Sequence, residues 1–122
     1  MQNLDDFFKT VGSEAKTVLD RLGGSEMLVR KFLGKFKDDK SFSELTAALE
    51  AGDIDTAFRA AHTMKGVCAN LGLDSLFKLS SEVTEILRPK AEGAIEEAKK
   101  KMPELKKEYE RVLEELKKLA EN

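Results

Sequence analysis

Apolar residues recur along most of the chain at the i, i+3, i+4, i+7 spacing of a core-facing helix. Residues 4–11 predict a short helix carrying Phe7 and Phe8. Neighbours on a regular helix point about 100° apart, so the two rings are not expected to enter one core together. One would cap the bundle end and the other sit on a partner-facing surface, with packing the simpler role. Gly12-Ser13 breaks the run, with Ser13 placed to N-cap a second short helix through Leu22. Gly23-Gly24 ends it and Ser25 caps a helix at 26–38, with Leu28, Val29, Phe32, Leu33 and Phe36 inward and Lys31, Lys35 and Lys37 on a solvated face. After a polar turn, Ser41 and Glu44 have capping-box spacing and open a helix at 42–51 that turns Phe42, Leu45, Ala48 and Leu49 inward.

Gly52 closes that helix and Asp53 N-caps the next, at 54–71, which stops at Gly72. A further helix at 75–88 carries Leu76, Leu79, Val83, Ile86 and Leu87, and Pro89 ends it. The last, at 92–120, shows an unbroken seam from Ala91 and Ile95 through Met102, Tyr109 and Leu119. That spacing suits a coiled coil, but the short upstream loops predict the closing helix of an antiparallel bundle. Pro103 is expected to kink or interrupt it. The chain therefore reads as one all-α domain over residues 1–122, an antiparallel four-helix bundle with short additional N-terminal helices in residues 4–22.

Composition agrees: 122 residues, 41% hydrophobic, 36% charged, two prolines and no tryptophan. A net charge of −2 provides no basic field for nucleic acid. Cys68 falls on the buried stripe without a partner, as a small core hydrophobe in a reducing compartment would. The N-terminus lacks the charge and apolar run of a secretory signal, and no apolar run approaches a membrane span of about 20 residues. The expected location is cytoplasmic, with neither membrane nor nucleic acid as a partner, and the expected state a monomer.

The chemistry concentrates in Ala61-His62-Thr63-Met64-Lys65-Gly66, which holds the chain's one histidine. Ile54, Ala57, Phe58, Ala61, Met64, Cys68 and Leu71 form the inward stripe. His62 lies roughly 120° from its middle and looks outward. Lys65 and Gly66, at i+3 and i+4, share its strip of the helix. Helical side chains lean toward the helix N-terminus, so a side chain at 66 would lean over the imidazole. Glycine leaves that approach clear, although mid-helix it costs about 1 kcal/mol relative to alanine. A purely structural account would have Gly66 permit tight helix packing and His62 be an ordinary solvated residue.

One histidine and one cysteine cannot furnish the usual zinc sites. No glycine-rich nucleotide cradle or nucleophile triad is present. An exposed imidazole beside an ammonium suits the acceptance and onward transfer of an anionic electrophile such as phosphoryl.

His62-Thr63-Met64-Lys65-Gly66 with Ala69-Asn70-Leu71-Gly72 resembles the H-T-L-K-G and N-L-G signature of histidine-containing phosphotransfer (HPt) domains. Arg21-Leu22-Gly23-Gly24-Ser25-Glu26 and Leu49-Glu50-Ala51-Gly52-Asp53 are similar to that family too, over about residues 13–88 and more loosely beyond. Met64 for leucine and Ser80-Ser81-Glu82 depart from the pattern. The resemblance implies a phosphorelay carrier rather than an enzyme with its own kinase or nucleotide site. His62 would exchange phosphoryl with a receiver (response regulator) aspartate or a histidine kinase, Lys65 would balance the phosphoryl charge, and Gly66 would admit the partner. No cofactor is expected on this chain, the magnesium belonging to the receiver. Arg59, Ala69, Asn70 and Lys78 are the expected docking residues, Lys78 facing His62 from the next helix. Two alternatives stand beside this reading: a non-phosphorylated helical module that binds receivers or kinases, and the phosphorylation domain of a larger histidine kinase. The starting methionine and a helix running to Asn122 favour a free-standing protein.

Overall fold

The computed structural model describes residues 3–120. Among them lie seven α-helices and no strand: α1 (Leu4–Thr10), α2 (Ala15–Arg21), α3 (Glu26–Lys35), α4 (Ser41–Ala51), α5 (Ile54–Leu71), α6 (Asp74–Leu87) and α7 (Ala94–Ala120). Successive pairs from α4 to α7 pack together, and α4 also meets α7, closing a four-helix bundle. α3 packs on the same two partners as α4, namely α5 and α7, and a 3-10 turn at Phe36–Asp38 separates the two.

The end signals around α5 act as the residue types dictate. The Asp53 carboxylate accepts from the Thr56 backbone N–H at 3.1 Å and from its hydroxyl at 2.7 Å. Gly52 and Gly72 bound the helix on either side. Ser25 caps α3 through Leu28 N–H at 3.2 Å. Two other caps differ from expectation. α2 begins only at Ala15, with Glu14 at the cap position and no side-chain bond. Ser13 is spent on closing α1, its N–H donating to Phe8 C=O at 2.8 Å. Nor do Ser41 and Glu44 form a capping box. Ser41 already lies in α4, and Asp39 accepts both its N–H, at 2.9 Å, and its hydroxyl.

Phe7 and Phe8 both pack, and, against the expectation that they would not enter one core together, both are fully buried in it. α1 is not a bundle column but a plug. It packs against α7 and α2, and Phe8 approaches the turn at Gly72, so apolar surface meets it on two sides. The two rings pack edge to face, 5.2 Å apart. α3 departs the other way. Val29, Leu33 and Phe36 are inside, but Leu28 and Phe32 are exposed, and so is Met27 at 80%. This peripheral helix has one narrow strip to bury.

α7 runs through Pro103 without interruption. Proline removes the N–H that would bond to Lys99 C=O. Pro103 is exposed, so water can serve that carbonyl, and the buried seam from Ala94 to Leu119 holds the helix in register. Ala91 precedes α7 and is exposed, so the seam starts at Ala94. On α6, Leu79 and Ile86 are only half-buried while Ser80 and Thr84 are inside. Their hydroxyls donate to Leu76 C=O at 2.8 Å and Ser80 C=O at 2.7 Å, which satisfies both within the helix. Cys68 is in the core, where burial, more than the nearby Asp39 charge, pushes its thiol up to about 12. No helix of the described residues is long and apolar enough to cross a membrane.

Candidate functional site

α5 turns its small and sulfur-bearing residues inward (Ala57, Ala60, Ala61, Met64, Cys68), which lets α4 and α6 close on it from two sides. The opposite strip stays in solvent. His62 is exposed on it, Lys65 is half-buried and Gly66 exposed. A Cβ built at Gly66 would meet nothing within 4 Å, so no helix packs into the space that this glycine leaves. Nor does its backbone need glycine, since its φ is not among the positive ones. The tight-packing account of Gly66 is therefore wrong. The gap opens to solvent one helical turn beyond His62, on the same strip.

α6 contributes Glu85. Its carboxyl is held below the usual range chiefly by hydrogen bonds from Arg88, with the charges of Arg88, Lys65 and His62 adding to the effect. Glu85 is thus an α6 carboxylate close enough to Lys65 and His62 to feel their charges. Lys78 is exposed seven residues earlier on α6, about 10 Å nearer the Gly72 turn at 1.5 Å per residue. Arg59 is exposed one turn before His62, within 3.4 Å of the Thr56 hydroxyl. Arg21 donates to the Ala69 and Asn70 carbonyls, satisfying the last turn of α5 from α2. A groove of about 530 Å³ opens beside that turn, lined in part by Phe32, Val67 and Asn70. It joins the last turn of α5 to the half-exposed Phe32 and Lys35 side of α3.

The family model for the Hpt domain matches residues 28–115, most of the chain, from α3 well into α7 and with the whole His62 strip inside. The chain belongs to the Hpt domain family. Neither a curated protein nor a solved structure matches it. Hpt domains are helical bundles that serve histidine phosphotransfer in two-component signalling, as phosphocarrier modules in contact with receiver domains or kinases. The Hpt match begins later than residue 13 and extends through most of α7, so α1 and α2 lie outside the matched span. Among the described residues, no group of three or more His, Cys, Asp or Glu is arranged to hold a metal.

Three residues packed around His62 went unnoticed in the sequence. Phe58, counted there as an ordinary member of the stripe, is only half-buried and touches the His62 ring. Its i, i+4 spacing from the histidine was the available signal. Arg88 and Lys90, which lie over the Phe58 ring, come from the end of α6 and the loop after it, and only the folding of the α5–α6 hairpin brings them there.

Proposed function

We propose that this chain is a phosphorelay carrier whose acceptor is His62, exchanging a phosphoryl group with the aspartate of a receiver domain. The observation that carries the reading is the pairing of an exposed imidazole with an internally unexplained gap at Gly66, in an Hpt domain with one histidine. A ring nitrogen attacks the phosphorus of an aspartyl phosphate. The N–P bond forms as the P–O bond breaks, and that electron pair returns to the carboxylate. The other ring nitrogen keeps its proton, and the ring then carries the positive charge that makes it a good leaving group for the reverse step. Positioning and charge neutralisation supply most of the catalysis in such transfers. Lys65 is the near cation, and the magnesium and the acidic pocket belong to the receiver. Arg59, Ala69, Asn70 and the groove beside Phe32 form the docking side, with Lys78 at its far edge.

The test is incubation with a phosphorylated receiver, followed by intact-mass measurement and peptide mapping. The expected result is a gain of one acid-labile, alkali-stable phosphate on the His62 peptide. A phosphate elsewhere, or none, overturns the assignment. Lys65→Ala should lower the transfer rate by about tenfold, the loss of one favourable charge contact worth roughly 1.4 kcal/mol in the transition state. An unchanged rate would reduce Lys65 to a surface charge.

A further inference from the structure

Helical side chains lean back toward the preceding turn, and His62 meets Phe58 there. The two rings stand edge to face, centroids 5.8 Å apart and planes at 86°. Phe58 is itself gripped. The Arg88 guanidinium lies 5.2 Å from its centroid and the Lys90 ammonium 5.7 Å. Each cation is tied to a carboxylate, Arg88 to Glu85 at 2.9 Å and Lys90 to Asp55 at 2.6 Å. Lys90 also holds the one positive φ at a non-glycine among the described residues, 52°. Side-chain-bearing residues keep such a backbone only where their surroundings enforce it.

We propose that Phe58 is a positioning residue for phosphotransfer: clamped by Arg88 and Lys90, its ring props the His62 imidazole from the N-terminal side of α5 and leaves the Gly66 side as the approach to phosphorus. This rests on His62 being the acceptor. An imidazole on an exposed strip otherwise samples several rotamers, and transfer needs the one that aims a nitrogen at phosphorus from about 3–3.5 Å. A ring at i−4 excludes orientations on its own side. The empty position at i+4 excludes none. The imidazole is therefore restricted without being covered, as a group that must meet a second protein requires.

The experiment compares wild type with Phe58→Leu, Phe58→Tyr and Arg88→Gln by two measurements: the NMR signals of the His62 ring protons in the unphosphorylated protein, and the rate of transfer from a phosphorylated receiver. Phe58→Leu keeps the apolar bulk and removes the aromatic ring. It should shift the His62 signals toward those of an unstructured histidine and slow transfer by about threefold to tenfold, the range of an aromatic pair contact. Phe58→Tyr should restore both. Arg88→Gln, at an exposed position, should move the signals the same way by less. His62 signals that stay put in Phe58→Leu, or a wild-type rate in that variant, overturn the positioning role while leaving the carrier reading intact. A wild-type protein that takes up no phosphate overturns both.

Discussion

Gly66→Leu should slow phosphoryl transfer to His62 by about a hundredfold and at the same time stabilise the protein. A glycine inside a helix is ordinarily explained by a positive φ, by close packing of a neighbour, or by a bend. The first two fail here: Gly66 has no positive φ and faces open space. A bend has no support either, since α5 is one unbroken helix from Ile54 to Leu71. Leucine removes the glycine penalty, a gain of roughly 1 kcal/mol, or a melting temperature higher by about 3–5 °C. Its side chain leans toward the imidazole, into the path that an incoming phospho-aspartate must take. A displacement of about 1 Å in such a transfer is enough for a hundredfold loss. Stopped transfer assays against the same receiver, with His62→Gln as the zero, measure the first effect and thermal melts the second. Opposite signs are the diagnostic, because a folding defect would lower both. A rate within twofold of wild type would remove the reason given for the glycine.

What could be read from the sequence follows how local each determinant is. α5 and its outward histidine were legible because the stripe and the end signals at Asp53 and Gly72 all lie within twenty consecutive residues. The gap at Gly66 was legible for the same reason, through i, i+4 geometry alone. Phe7 and Phe8 were misread because their burial depends on α7 and the α5–α6 turn coming to them from far along the chain. Leu28 and Phe32 were misread in the opposite sense, since periodicity marks an apolar strip but not how wide a strip its neighbours cover. Ser80 and Thr84 went unseen in the core because a hydroxyl bonded to its own helix can be buried where hydropathy argues against it. The Phe58 clamp is the clearest limit. Arg88 and Lys90 stand thirty or more positions away in sequence and carry no mark of the ring they cover.

Gly72→Ala, ten residues beyond the histidine, should invert the pattern seen at Gly66, with a large loss of stability and little change in the chemistry of the folded protein. Gly72 has φ +70°, and an added Cβ would overlap the Val18 Cγ2 atom and lie 3.3 Å from both Phe8 Cε1 and Ser13 Oγ. Val18 is fully buried and, being β-branched, is stiff at χ1, so it cannot swing aside. The left-handed backbone costs about 1–2 kcal/mol for a residue with a side chain, and overpacking adds roughly 1–3 kcal/mol. The sum, about 2–5 kcal/mol, is a large share of the 5–15 kcal/mol that typically holds a domain together. The strain falls where α1 and α2 dock on the α5–α6 turn, a junction that Arg21 also ties through the Ala69 and Asn70 carbonyls. His62 lies about 15 Å up the helix axis from it. Urea titration should therefore show a midpoint well below wild type, while transfer assayed in the cold, where the variant is folded, should run within about twofold of the wild-type rate. A variant as stable as wild type would mean that α2 does not press on the turn. A stable but slow one would mean that the docked N-terminal helices reach the reacting strip of α5.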